Sequence, residues 1–291
     1  MVAAACSITL VALRIGASAS PASAVGAGSA RVAARGPQQP TAMTAESPGA
    51  MLATAHRRFY DGHYLEAADL ALALRSAEPG SLASYELRTS ALLFQIKRLI
   101  GDVKDKDKAF KACEECPALL SLLLADFKEG QAAARAALAA APGDEAARFF
   151  LGKLNLNYVW LQLGALGKRT GWNEYWEARR SMDAVLAKNP AHVRARVARA
   201  WIEYIVDTRT PWGFSWILGG GNKKRAFESL RDAAAADSPF FEKTEAAFAL
   251  WEMQVRERDI PAAMDSARRL AADFPENREL VRFLAANKAR R

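Results

Sequence analysis

One spacing recurs along this chain and constrains its fold more than any other sequence feature. Four segments each run 17 positions to a proline: Gly62 to Pro79, Ala125 to Pro142, Asn173 to Pro190 and Arg258 to Pro275. A fifth segment begins at Gly221 and reaches its proline one residue late, at Pro239. A recurring unit of this kind is typical of stacked helical repeats, in which each unit packs on its neighbours.

Each unit carries a small residue five positions after its start, followed by further apolar residues. In the four regular units these small residues are Ala67, Gly130, Ala178 and Ala263. A small side chain lets the preceding helix approach closely. The closing proline has no N–H and cannot continue a helix, so each unit predicts one helix that ends at its proline.

Written out, the units read GHYLEAADLALALRSAEP from Gly62 and NEYWEARRSMDAVLAKNP from Asn173. All of them resemble the second helix, helix B, of a tetratricopeptide repeat (TPR). That family places Leu-Gly at the seventh and eighth positions of helix A, where this chain has Leu151 and Gly152 after Pro142. The resemblance implies a right-handed solenoid of about five helical hairpins over residues 50–283, of an exported bacterial type with enlarged repeats.

The composition independently favours an all-α fold. The chain has 291 residues, of which 51% are hydrophobic, and it is rich in Ala and Leu with few β-branched runs. A chain of this size can bury a substantial core.

The predicted repeats are enlarged by insertions between helix A and helix B. Fourteen extra residues occur at Val159–Trp172 and again at Asp207–Gly220, which gives a larger period of 48 residues across Ala125, Asn173 and Gly221. Both insertions are apolar and aromatic, so something must cover them. They either form a shared pocket, lid or docking patch, or extend the helices and pack as core with Trp160, Trp172, Trp212 and Trp216.

A longer insertion of 29 residues precedes Ala125 and contains Cys113-Glu-Glu-Cys116. A zinc site would need two further ligands, and the chain has three histidines and no second Cys pair. Thioredoxin-like chemistry would need a βαβ setting, which an all-α chain lacks. The pair is therefore expected to be structural, either as a local disulfide or as buried thiols, and neither a metal ion nor a cofactor is predicted.

The two ends of the chain differ from the repeats. An apolar start followed by Ala22-Ser23-Ala24 predicts a signal peptide over residues 1–24 and export to the periplasm or cell envelope. A flexible, low-complexity linker is expected over 25–49 and a basic tail over 284–291. No later stretch reaches the 18 to 20 continuous apolar residues of a membrane helix, so no transmembrane span is predicted.

The net charge of +8 is concentrated in the middle of the chain. From Lys168 to Arg231 there are 13 Lys or Arg and six acidic residues. Such a surface attracts acidic or anionic partners, although several of these charges could simply solvate helix exteriors. In an exported protein nucleic acid is the least expected partner.

A glycine run, Gly219-Gly220-Gly221, precedes Lys223 and Lys224. It predicts either a phosphate-binding loop or a turn into the next helix, and the turn is the favoured interpretation.

In the TPR family the concave face is lined by set positions of helix A, and this implies a binding site. The positions carried over, with the aromatic residues of the insertions, are Phe149, Lys153, Asn157, Arg194, Trp201, Tyr204, Trp160, Trp212 and Trp216. No catalytic constellation is recognisable, so an enzyme is not predicted. The leading hypothesis is a non-catalytic scaffold that binds a protein or peptide partner, of acidic character, in the cell envelope. The alternative is an accessory component that binds a small apolar, anionic or lipid ligand between the insertions, as in TPR subunits of periplasmic transporters.

Overall fold

The computed structural model describes residues 46–168, 170–209 and 218–288, and these form helices, turns and loops without a strand. The prediction of an all-α fold is confirmed. The twelve α-helices of the described residues are α1 (Pro48–Tyr60), α2 (Tyr64–Ala77), α3 (Leu82–Ile100), α4 (Lys106–Lys111), α5 (Cys116–Ala140), α6 (Glu145–Trp160), α7 (Trp172–Lys188), α8 (Val193–Arg209), α9 (Lys223–Ala235), α10 (Phe240–Arg256), α11 (Ile260–Asp273) and α12 (Arg278–Asn287).

The prolines that close the repeated units fix how the second helix of each hairpin ends. The residue before the proline leaves the helical region at Glu78 (φ −136°, ψ 82°), Ala141 (−137°, 87°), Asn189 (−134°, 84°) and Phe274 (−129°, 69°). A following proline disfavours the helical conformation at this position, which explains the common geometry. The unit with the late proline differs, since α9 ends at Ala235 and the next residue, Ala236, has φ −63° and ψ 148°.

The small residues of the units lie where helices approach most closely. Ala67, Ala178 and Ala263 are fully buried. A Cβ added at Gly130 would lie 2.9 Å from the Cβ of Tyr85, a distance that side-chain packing does not allow. Gly152 is equally constrained, because its added Cβ would lie 2.4 Å from Cε of Met182. The small residues at these positions therefore allow the helices to pack closely.

The helices pack as consecutive antiparallel pairs. The pairs are α1 with α2, α3 with α5, α6 with α7, α8 with α9 and α10 with α11, and α12 packs on α11. The first helices of successive pairs also contact one another: α1 with α3, α3 with α6, α6 with α8, and α8 with α10. We call α1, α3, α6, α8 and α10 the inner helices.

The first hairpin also meets the last helices of the chain. The Arg57 guanidinium donates to the carbonyl oxygen of Asp273 at 2.7 Å, and Asn277 Nδ2 donates to the carbonyl oxygen of Tyr60 at 2.7 Å. The Tyr60 ring stacks on Phe248 of α10 with ring centroids 5.1 Å apart. The inner helices therefore close into a ring.

The longest insertion forms a small packed lobe. A disulfide joins Cys113 to Cys116, with the two Cα atoms 5.4 Å apart, where the chain turns from α4 into α5. Cys116 is buried in one apolar cluster with Ile100 at the end of α3 and with Leu119 and Leu161. The disulfide alternative for the Cys pair is thus the one observed, and it fixes the lobe to the start of α5.

The second insertion continues α6 as a π-helical turn, Leu161–Ala165, that packs against α3. Leu161 and Ala165 are fully buried, so packing as core accounts for this part of the insertion. Trp160 is only partly covered, and Trp172 is 52% exposed, so Trp172 is not a core residue. The third insertion includes Trp212 and Trp216, which lie outside the described residues.

Candidate functional site

Four charged side chains from four inner helices meet at the centre of the ring. Arg194 Nη2 lies 2.8 Å from Glu86 Oε2, and Arg194 Nε lies 2.5 Å from Glu245 Oε2. Lys153 Nζ lies 2.6 Å from Glu245 Oε1 and 3.6 Å from Glu86 Oε1. These side chains, which we call the quartet, are only 3% to 15% exposed. The quartet is electrically balanced and fills the centre of the ring.

The electrostatics of the quartet keep both of its carboxyl groups ionised at neutral pH. Burial raises the pKa of the Glu245 carboxyl, but Arg194 and Lys153 outweigh this and lower the pKa to about 2. The pKa of Glu86 is lowered by the same two cations against its own burial. Nearby His56 is held neutral, because burial and then Arg194 lower its pKa to about 4.

Three of the residues expected to line an open concave groove are instead buried. Phe149 is 2% exposed and lies under the Arg194 guanidinium, with Cζ 5.1 Å from the ring centroid. Asn157 is 6% exposed and donates to Ser90 Oγ at 2.9 Å. Tyr204 is 3% exposed. The expectation of an open groove is therefore not met, because closure of the ring brings opposing helices together.

A second cluster lies two turns further along the same inner helices. Seven residues after Lys153, Arg194 and Glu245 come Trp160, Trp201 and Glu252, which are partly buried. A spacing of seven keeps a side chain on nearly the same helix face and moves it about 10 Å along the axis. The indole rings of Trp160 and Trp201 meet edge to face with centroids 6.4 Å apart.

Charged groups frame these two indoles. The guanidinium carbon of Arg256 lies 5.4 Å from the Trp201 ring centroid, and Arg256 Nη2 pairs with Glu252 Oε1. Lys97 at the end of α3 interacts electrostatically with Glu252, whose pKa is raised by burial but lowered overall by Arg256 and Lys97. We call Lys97, Trp160, Trp201, Glu252 and Arg256 the mouth. It combines partly exposed aromatic surface with two cations, two helical turns from the quartet.

Trp160 and Trp201 of the mouth were predicted from the sequence, but the charged residues of the mouth were not. Lys153 and Arg194 were predicted without their partners Glu86 and Glu245. Glu86 could have been found by applying the helix A positions to the helix after Pro79, where it occupies the fifth position. Glu245, Glu252 and Arg256 lie in α10, whose helix A register follows the irregular proline and was not assigned.

The glycine run before α9 serves as a turn. Arg179 Nη1 donates to the carbonyl oxygen of Leu218 at 2.9 Å, and its Nη2 donates to that of Gly219. Gly219 and Gly220 have φ of 78° and 75°, a region that glycine tolerates best. The amide of Gly221 packs against α8, where an added Cβ would lie 2.4 Å from the amide nitrogen of Asp207. These contacts favour the turn over a phosphate-binding loop.

No protein-family model and no curated protein sequence matches this chain. Within the described ranges, no helix has the length and apolar content needed to cross a bilayer.

Proposed function

We propose that this chain is a non-catalytic, TPR-like binding protein whose ligand site is the mouth of a closed helical ring. The observation that carries the proposal is the pair of partly exposed indoles, Trp160 and Trp201, standing above the buried quartet. Large aromatic side chains are normally covered in a finished core, and those left open in a concavity usually contact a ligand.

The TPR-like assignment is supported by the repeated local geometry. Second helices that end identically before four prolines, with small residues at matched packing positions, are features that a tandem array of helical hairpins would produce. On this view the chain is a short solenoid whose two ends have come together. That closure removes the open groove in which an extended peptide would lie.

The chemistry of the mouth favours an elongated ligand with an apolar body and an acidic end. The apolar part would pack between Trp160 and Trp201, displacing water from both rings. The acidic group would accept hydrogen bonds from Lys97 and Arg256, which both interact with Glu252. A small lipid-like or carboxylate-bearing molecule fits this description, as in an accessory component of a periplasmic transport system.

Isothermal titration calorimetry of the full chain with sodium dodecanoate tests this site. The variant Trp201→Ala removes roughly 80 Å² of apolar contact with the ligand. At about 25 cal/mol per Å², this weakens the binding free energy by ~2 kcal/mol and raises Kd roughly 30-fold. Trp172→Ala is the matched control, because Trp172 is the most exposed of the described tryptophans and is not part of the mouth. Lys97→Gln should weaken dodecanoate but leave the neutral-headed dodecyl maltoside unaffected.

Circular dichroism first establishes that each variant is folded. Equal dodecanoate affinity in the wild-type protein and in folded Trp201→Ala would refute the site, as would equal losses in Trp201→Ala and Trp172→Ala.

A second candidate is a scaffold that recruits an acidic protein partner in the cell envelope. It is favoured by the excess of cations between Lys168 and Arg231. Because the concave side is closed, such a partner would have to dock on the outside of the ring. A pull-down from envelope extracts that recovers one acidic partner, and loses it at high salt, would favour this candidate.

A further inference from the structure

The outer side of the ring carries an open groove between α5 and α7, with α6 as its floor. A hollow of about 310 Å³ lies in this groove, and a second hollow of about 350 Å³ adjoins it on α7 and shares Glu177 and Arg180. Both hollows are open at the surface. The groove lies on the opposite side of α6 from the quartet, because Leu151 of α6 lines it while Lys153 faces the centre.

Three arginines line the groove, and its single acidic residue, Glu177, is already paired and hydrogen-bonded within the protein. Arg135 Nη2 pairs with Glu177 Oε2 at 2.6 Å, and Asn155 Nδ2 donates to the same oxygen at 2.7 Å. Gln131 Nε2 in turn donates to Asn155 Oδ1 at 2.7 Å. These bonds hold the Glu177 carboxylate in place and leave a net excess of two positive charges.

The other two arginines retain donors for a ligand. Arg148 uses Nη2 to reach the carbonyl oxygen of Pro142 at 2.8 Å, which leaves most of its five N–H groups unused. Arg180 is exposed, lines both hollows and interacts electrostatically with Glu177. Guanidinium groups bind carboxylates through paired hydrogen bonds, so two such groups can recognise two carboxylates.

Apolar side chains alternate with these charges along the groove. Leu138 and Leu151 line the first hollow, and Trp176 lines the second. A ligand that fits both hollows must therefore be elongated and must present acidic and apolar groups in turn. A nucleic acid backbone would instead call for a continuous cationic track without an acidic residue in its middle.

We infer that this groove between α5 and α7 binds an acidic, extended peptide segment of a partner protein, with Arg148 and Arg180 receiving its carboxylates. This site is separate from the mouth and does not depend on a ligand bound there. It also places the partner of the second candidate function on a defined surface.

Fluorescence anisotropy with a labelled dodecapeptide of alternating glutamate and leucine tests the inference on the full chain. The wild-type protein should bind this peptide and should not bind a lysine–leucine peptide of the same length. Arg180→Glu should weaken binding at least tenfold, whereas Arg268→Glu, an exposed control on α11, should change it less than twofold. Dodecanoate binding should be the same in Arg180→Glu and in the wild-type protein, which separates the groove from the mouth.

Three results would overturn the inference. The first is no binding of the acidic peptide by the wild-type protein. The second is an equal loss in Arg180→Glu and Arg268→Glu, which would show general charge attraction. The third is binding to phosphatidylglycerol vesicles that Arg180→Glu abolishes while peptide binding is unchanged, which would assign the arginines to a lipid surface.

Discussion

Replacing Arg194 by methionine tests whether the quartet holds the ring together. Arg194 makes ion pairs to both Glu86 and Glu245, and its side chain is 15% exposed. Its loss would leave two buried carboxylates sharing one ammonium group, that of Lys153. Removing one partner from a buried ion pair typically costs about 3–5 kcal/mol. For a chain of this size, each kcal/mol lowers Tm by roughly 2–4 °C, so we expect a fall of roughly 6–20 °C.

Urea unfolding of Arg194→Met followed by circular dichroism measures this loss, with Arg268→Met as control. Arg268 pairs with Asp265 on the surface, where both side chains are well exposed, and such a pair is worth about 0.5 kcal/mol. Adding Glu245→Gln to Arg194→Met removes one unpaired carboxylate and should restore part of the lost free energy. A loss below about 1 kcal/mol in Arg194→Met, or strict additivity in the double variant, would refute the reasoning.

Two further predictions concern stability. His56 has a pKa of about 4 in the folded protein against 6.5 when unfolded, so the free energy of unfolding should fall as the pH is lowered from 6.5 toward 4, by about 3 kcal/mol in all. His56→Phe should flatten this slope in urea titrations between pH 6.5 and 5, and an unchanged slope would contradict the assignment. Gly152→Ala should cost about 1–3 kcal/mol in thermal unfolding, because its Cβ would also lie 2.9 Å from the Cβ of Ser181. Gly143→Ala, which has open space around it, should change stability by less than 0.5 kcal/mol on the scale of surface substitutions.

Local features of the fold were readable from the sequence because they depend on neighbouring residues. A proline fixes the residue before it, and an alanine or glycine at a matched position allows close packing. The second helices, such as α2 within Gly62 to Pro79 and α7 within Asn173 to Pro190, therefore follow the predicted units closely. At the two ends of the described helices, α1 begins at Pro48 and α12 runs to Asn287.

Closure of the ring could not be predicted in the same way. It depends on contacts between residues more than 200 positions apart, such as Arg57 with Asp273, and on small rotations summed over five hairpins. A positional rule taken from open solenoids therefore named Phe149 and Tyr204 as lining residues, whereas closure buries both. Trp160 and Trp201, which the same sequence reasoning named, lie two turns away from the quartet and stay partly exposed.

Cross-linking of the two ends of the chain tests ring closure most directly. His63 Nε2 lies 2.7 Å from Glu276 Oε2, so cysteines introduced at these two positions should lie within reach of a short bifunctional maleimide. In the double variant His63→Cys, Glu276→Cys, this reagent should give a nearly complete intramolecular cross-link, seen as a mobility shift on denaturing gels. The pair Glu78→Cys, Glu276→Cys serves as the unmatched control. Cross-linking of the first pair no greater than that of the control would show that the ends lie apart and that the inner helices form an open groove.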